Sequence, residues 1–303
     1  MNYYVTLIII KESFMKQFVA YLNLFRYWQW LKNIIIFIPL FLTDITNTKL
    51  IIDHLGLFIL FSLFVSSTYI LNDIKDHEED RQHQQKNKRP IASGEVSINE
   101  SIFLFVFIFL ATIYLTYYFY GIELLKLFLY YLILTILYSY KLKYINFLDG
   151  FVVSLLYINR LFLGSVLSEI TLTYQLVLYI FFLSMFIFYL KKNSILNIGN
   201  YTNKLKEKIS LQNFKIEISL VINVLLIILN IVLAWWILGY IDSSTDYLFG
   251  FLFFILHIVV LRDLISMSNQ GLLEDISRTV FQIKNLKIKI FFVFTLFVLF
   301  YYV

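Results

Sequence analysis

Long apolar runs separated by polar intervals fill the chain, at 31–46, 55–74, 100–119, 122–139, 147–167, 173–190, 215–237, 246–263 and 286–303. A helix rises about 1.5 Å per residue, so a hydrocarbon core about 30 Å thick takes about 20 apolar residues to cross. The pattern predicts nine transmembrane helices in an all-α, polytopic integral membrane bundle, with residues 1–303 forming a single membrane domain. The polar intervals predict charged loops at about 72–98, 140–148, 191–214 and 262–285, the third carrying a basic amphipathic helix. The first eleven residues are mildly apolar, too short to span, and not followed by a small-residue cleavage site, so no signal peptide is expected. No internal repeat, low-complexity tract or soluble domain interrupts the runs.

Composition sharpens the picture. Hydrophobic residues make up 60% and charged residues 15%, and the mean hydropathy is +0.78. A chain of this length and composition does not fold as a water-soluble body. The absence of cysteine excludes disulfides, thiolate nucleophiles and Cys-ligated metals. A net charge of +5 would hint at nucleic acid were the basic residues not sorted by the membrane. Lys11, Lys16, Arg26 and Lys32 precede the first run. Lys75, Arg81, Lys86, Lys88 and Arg89 follow the second, and Lys141 and Lys143 the fourth. Lys191, Lys192, Lys204, Lys206, Lys208 and Lys215 follow the sixth, and Arg262, Arg278, Lys284, Lys287 and Lys289 the eighth. Only Lys49 and Lys126 fall on the other side. The positive-inside rule then puts the N-terminus and charged loops in the cytoplasm and the C-terminus outside, in what is expected to be a bacterial inner membrane. No nucleic-acid partner is expected, and oligomeric state is open.

The loop after the second run holds the candidate chemistry. Asn72, Asp76 and Asp80 are spaced i, i+4, i+8, which stacks them along one face if the helix continues out of the membrane. Carboxylates at that spacing repel unless a cation lies among them, and Mg2+ held by one or two carboxylates and substrate phosphate oxygens resolves the repulsion. Asp73 and Glu79 widen the acidic patch, and Arg81, His83, Lys86, Lys88 and Arg89 can pair with phosphate. Those basic residues taken singly serve equally well as topological charges. Asp149, beside Lys141 and Lys143, is a second candidate ligand, and the two lysines can grip a diphosphate. Arg160, about three turns into its span, either lines a cavity or pairs within the bundle. Arg262-Asp263, Glu274-Asp275 and Arg278 form a third group, open between a charged loop and a site role. His54 and His257 are expected to be structural.

The pattern Asn72-Asp73-x-x-Asp76-x-Glu78-x-Asp80-Arg81-x-His83-x-x-Lys86-x-x-Arg89-Pro90-Ile91-Ala92-Ser93-Gly94 resembles the first aspartate-rich motif of the UbiA-type prenyltransferase superfamily. Within it, the nearest look is to the decaprenyl-phosphate phosphoribosyltransferase branch. Arg26-x-x-Gln29-Trp30-x-Lys32-Asn33 is similar to that branch's N-terminal signature, and Leu142-Lys143 through Asp149 to Arg160 and Gly164 to its second motif. Weaker matches fall at Lys191-Lys192, Arg262 and Glu274-Asp275-Ile276. The resemblance implies a UbiA-like helix bundle and an Mg2+-dependent transferase of cell envelope biosynthesis. Its substrates would be 5-phosphoribosyl 1-diphosphate and a polyprenyl phosphate drawn from the membrane lipid. Asn72, Asp76, Asp80 and Asp149 would hold the metal, and Arg26, Lys32, Lys86, Arg89, Lys141, Lys143 and Arg160 the phosphates, with Asp73, Arg81, His83 and Arg262 auxiliary. The alternative is prenyl transfer from a polyprenyl diphosphate to an aromatic or quinone-precursor acceptor. Three departures stand out: Val153 where many members place a second aspartate, Ile195 where the branch tends to have glutamate, and Ser277-Arg278 where an acidic-basic pair is expected.

Overall fold

The structure is a computed structural model that describes residues 15–43, 45–82, 86–198, 205–240, 244–273, 279 and 283–302. The regular elements among the described residues are all helices. The long elements are α1 (Thr48–Gln82), α2 (Ile98–Tyr140), α3 (Leu148–Ser168), α4 (Tyr174–Ile198), α5 (Leu205–Leu238), α6 (Ser244–Asn269) and α7 (Lys284–Tyr302). Six of them, α1 to α6, are long and apolar enough to cross a membrane. The chain is an integral membrane protein. It divides into two compact units, one of residues 1–36 and 47–132 and the other of 37–46 and 133–303.

Two expected spans take a different form. The runs at 100–119 and 122–139 are the arms of α2, which changes direction at Gly121 (φ 78°, ψ −173°). Phe109 and Phe128 would lie about 28 Å apart on a straight helix, yet their ring centroids sit 5.7 and 5.0 Å from that of Phe64 on α1. The element therefore folds back on itself, and both arms pack aromatic side chains on α1. A reciprocal pair of bonds between Ser97 and Glu100, 3.2 and 3.0 Å, starts the first arm as a capping box.

The run at 31–46, expected to be one straight helix, is not. Residues 15–24 are α-helical, Arg26 takes a left-handed φ of 49°, Tyr27–Phe37 is a 3-10 helix, and Ile38–Phe41 is a single α-turn opened by Pro39. Hydropathy registers that residues 31–46 are apolar and says nothing of their pitch. Within the first unit, polar side chains set the pitch. Trp30 Nε1 donates to Ser66 Oγ (3.0 Å) and Asn33 Nδ2 to Ser62 Oγ (2.9 Å). Three residues of 3-10 helix and four of α-helix both advance about 6 Å, so the tighter helix keeps successive rungs aligned with α1. Ser66 Oγ also donates to the Phe25 carbonyl (2.7 Å).

In the second unit, Phe186, Tyr189 and Leu190 of α4 form a core with Ile218, Ile222, Leu225 and Leu229 of α5, Leu261 of α6 and Leu286 of α7. Trp236 stacks on Phe297, with ring centroids 5.8 Å apart, and ties the far end of α5 to α7. His257 is structural as expected: its Nε2 lies 2.7 Å from the Tyr179 hydroxyl.

Candidate active site

The ladder between the N-terminal segment and α1 ends in charge. One turn beyond Ser66 the Arg26 guanidinium lies over the Tyr69 ring, 4.8 Å from its centroid, and one turn further Arg26 Nη2 pairs with Asp73 Oδ1 at 2.5 Å. Asp73 and Asp80 are seven residues apart, two turns of the same face, and both are buried at 2% exposure. Arg89 joins them, since its Nη1 lies 3.0 Å from Asp73 Oδ1 and 2.6 Å from Asp80 Oδ2. Lys86 Nζ stands 3.8 Å from Asp80 Oδ1. Asn72 and Asp76 are half-buried on the adjoining face, so the innermost acids are Asp73 and Asp80 rather than the triplet that spacing picks out.

The segment that carries Arg89 is fixed by its own sequence. Pro90 favours extended backbone at the residue before it, and Arg89 has φ −68° and ψ 143°. Pro90–Ser93 then makes one helical turn that buries Ile91 and Ala92 and stops at Gly94, whose left-handed φ of 82° suits glycine. Arg81, expected to be auxiliary, donates its Nε to the Ala92 carbonyl (3.2 Å) and braces this turn. The 35 residues of α1 reach about 52 Å, well beyond a hydrocarbon core about 30 Å thick. The helix is therefore long enough to continue out of the membrane.

The second unit has a cluster of its own. Phe147 turns the chain with a φ of 67°, and α3 begins with Asp149 buried in its first turn. Asp149 Oδ1 accepts the Gly150 N–H (2.8 Å), and Oδ2 accepts Lys192 Nζ from α4 at 2.6 Å. A Cβ at Gly150 would stand 2.9 Å from Tyr189 Cε2, so glycine lets α3 and α4 approach where the pair forms. Arg160 is buried in α3, where its Nη1 donates to the Leu156 carbonyl (2.6 Å) and its guanidinium lies over the Tyr157 ring, 5.1 Å from the centroid. Lys141 and Lys143 are exposed beside a 3-10 turn, with Lys143 Nζ 4.9 Å from the Tyr144 ring centroid. Lys32 reaches Gln29 Oε1 (3.4 Å), and Arg262 is exposed on α6 next to Asp263, which pairs with Lys289 at 2.5 Å. His83, Glu274, Asp275, Ile276, Ser277 and Arg278 lie outside the described residues.

Lys192 was absent from the expected site. It lies 43 positions from Asp149, and a one-dimensional spacing cannot pair two residues on different helices. The signal available was a basic pair, Lys191-Lys192, at the end of an apolar run. Asp73, expected as an auxiliary residue, shares a face with Asp80 through its i, i+7 relation.

Among the described residues, no three His, Cys, Asp or Glu side chains form a cluster able to hold a metal ion by themselves. Mg2+ does not require one, because it is usually held by one or two carboxylates with water and substrate phosphate oxygens. Asp73 and Asp80 offer only oxygen donors and come close enough for one guanidinium nitrogen to bridge them. The residues present fit a hard divalent cation.

Comparison with known proteins agrees with this architecture. A solved UbiA homolog from Archaeoglobus fulgidus bound to DMAPP and Mg2+ superposes with a TM-score of 0.59 at 15% identity, covering 84% of this chain and 97% of that one. The uncharacterized protein y4nM of Sinorhizobium fredii is 38% identical over 49% of this chain and 29% of its own length. Decaprenyl-phosphate phosphoribosyltransferase of Corynebacterium glutamicum is 29% identical over 52% of this chain and 49% of its own. The chain thus spans about half, or less, of the curated relatives it matches. The sequence profile of the UbiA prenyltransferase family matches residues 35–275, most of the chain and both of its acidic clusters, and the chain belongs to that family.

Proposed function

We propose that this chain transfers the 5-phosphoribosyl group of 5-phosphoribosyl 1-diphosphate to a polyprenyl phosphate of the decaprenyl type and releases diphosphate. The carrying observation is the charge arrangement of the first unit, where Asp73 and Asp80 are met by Arg26, Arg89 and Lys86. Arg89 and Lys86, the two cations on Asp80, are compatible with a phosphate-rich donor. The partial similarity to the Corynebacterium phosphoribosyltransferase supports the same choice.

In this reading Arg89 and Lys86 take the oxygens of the donor diphosphate, and Arg26 keeps Asp73 in place. In the second unit, taken by itself, the exposed Lys141 and Lys143 remain candidates for phosphate, and Asp149 is paired with Lys192. Asp76 and Asp80, with Asn72 and Asp73 beside them, would hold Mg2+, which when bound supplies positive charge for the departing diphosphate. The bond from ribose C1 to the diphosphate oxygen breaks with its electron pair on the diphosphate, and an oxygen of the lipid phosphate forms the new bond to C1. The lipid phosphate is already anionic near neutrality, so no strong base is required. Arg160 is assigned a structural role, since its guanidinium is engaged within α3.

The fold is assigned nine crossings: the bent segment of residues 15–41, α1, the two arms of α2, and α3 to α7. The N-terminus and charged loops are assigned to the cytoplasmic face of a bacterial inner membrane. Prenyl transfer to an aromatic acceptor is the second reading, favoured by the DMAPP-bound homolog of the same fold.

Purified protein in lipid with Mg2+ is incubated with radiolabelled 5-phosphoribosyl 1-diphosphate and a polyprenyl phosphate, and label is followed into the lipid phase. The expected result is transfer that falls at least about 100-fold in Asp80→Asn, as when an electrostatic group at the reacting centre is removed. Folded protein that transfers no label across several lipid lengths, yet moves prenyl groups from a diphosphate to an aromatic acceptor, would establish the second reading instead.

A further inference from the structure

Of the carboxylates assigned to the metal, Asp73 and Asp80 are already occupied. Arg89 Nη1 bridges Asp73 Oδ1 and Asp80 Oδ2 at 3.0 and 2.6 Å, Arg26 pairs with the same Oδ1 of Asp73, and Lys86 approaches Asp80. A divalent cation bound to either acid would stand a few ångströms from the Arg89 guanidinium, and such a site tolerates neither the repulsion nor the sharing of lone pairs. Arg89 has to leave Asp80 before metal enters.

Its departure is a motion of the side chain alone. The Arg89 backbone is held by Pro90 and the buried turn behind it, while the Arg89 side chain is 29% exposed. With no anion present, withdrawal breaks two charge-assisted hydrogen bonds and leaves the guanidinium without a partner. With a diphosphate present, the same bonds are exchanged for equivalent ones to phosphate oxygens, Asp80 Oδ2 is released, and Asp73 is left with Arg26 alone. Metal and anion then bind with positive coupling, which by linkage acts equally in both directions.

We infer that Arg89 is a displaceable counter-ion that keeps the Asp73/Asp80 pair closed to divalent metal until an anionic substrate draws its guanidinium away. This rests on the metal assignment above and adds an order to it, with anion and metal entering together and metal alone excluded. Arg89 thus acts before the reaction, through the aspartates, as well as on the donor.

The test reads metal binding in place of turnover. Mn2+ stands in for Mg2+ and is titrated by electron paramagnetic resonance into full-length protein in nanodiscs without substrate, with thermal unfolding confirming the fold of each variant. Arg89→Gln is expected to bind Mn2+ at least about tenfold more tightly than wild type, the worth of one charge-assisted hydrogen bond. Arg89→Lys, which keeps the charge on a shorter side chain, is expected to fall between them. Lys88→Gln removes the same charge one residue away, on an exposed side chain, and is expected to stay within about twofold of wild type because solvent screens it. With free Mn2+ buffered to a fixed level, inorganic pyrophosphate is expected to raise bound metal in wild type and not in Arg89→Gln. Equal affinities in wild type and Arg89→Gln, where Asp80→Asn abolishes binding, would overturn the inference and leave the metal assignment standing. A gain in Lys88→Gln matching that in Arg89→Gln would also overturn it, as a general charge effect. Absence of Asp80-dependent Mn2+ binding in every protein, with or without pyrophosphate, would remove the metal assignment and the inference together.

Discussion

Asp149 and Lys192 form a pair whose energetics differ from those of a surface ion pair. The Asp149 side chain is 6% exposed and the Lys192 side chain 24%, and the 2.6 Å bond between them links two helices at the start of α3. Removing the lysine alone leaves a carboxylate without its counter-charge in a poorly solvated place, at a cost of about 3 kcal/mol, whereas removing both charges together costs far less. Lys192→Met is therefore expected to lower the unfolding midpoint in detergent by several degrees, and Asp149→Asn combined with Lys192→Met to recover most of the loss. A double variant as unstable as the single one would mean that Lys192 contributes through packing on Phe188 and Tyr189 rather than through its charge. The exposed pair of Glu123 and Lys126 offers the contrast. Alanine at Lys126 is expected to leave the midpoint unmoved, because exposed pairs contribute about 0–1 kcal/mol.

Elements come together here by rungs and by turns, and the two differ in how far they could be foreseen. Helix existence follows from hydropathy, so most expected spans appear within a few residues of their places. Pitch does not follow, because the 3-10 form of Tyr27–Phe37 depends on Trp30 and Asn33 meeting Ser66 and Ser62 about thirty positions away. The Arg26, Trp30 and Asn33 signature was visible as a pattern, but its work as a clamp on α1 needed a partner helix. The acidic face was half legible for a similar reason: spacing placed Asn72, Asp76 and Asp80 together, while burial by Arg26 and Arg89 selected Asp73 and Asp80. Gly121 and Gly94 test the turns directly, since a Cβ at either would meet no atom within 4 Å and only backbone strain would be felt. Gly94 lies in the left-handed region that other residues enter at modest cost, whereas Gly121, at φ 78° and ψ −173°, lies where essentially only glycine goes. Gly121→Ala is expected to destabilise by about 2–3 kcal/mol and Gly94→Ala by about 1 kcal/mol. Chemical or thermal unfolding of the two variants side by side decides it, and equal losses would contradict the backbone account.

Orientation is a property of the whole molecule, and the first unit fixes a ruler for it. The Tyr120 hydroxyl donates to the Asp53 carbonyl at 3.0 Å, which pins the bend of α2 to the early turns of α1. The aspartate pair with its arginines lies at the other end of that helix, and Asp53 and Asp80 are about 40 Å apart along its axis. That distance exceeds a hydrocarbon core about 30 Å thick, and on that ground the bend of α2 and the aspartate cluster are proposed to lie at opposite faces of the membrane. Within the first unit, the cluster's end carries Lys75, Arg81, Lys86, Lys88 and Arg89, and the positive-inside expectation proposes that end for the cytoplasm. The chain has no cysteine, so a single introduced thiol reports one position without background. Cysteine at the exposed Lys88 is expected to react with a membrane-impermeant maleimide in inside-out vesicles and to resist it in intact spheroplasts. Cysteine at the exposed Glu123, just past the bend, is expected to show the reverse. Labelling of both from the same side would refute the hairpin as a pair of crossings, and a clean exchange of the two patterns would place the phosphate-binding residues outside the cell, where a phosphoribosyl diphosphate donor made in the cytoplasm could not reach them.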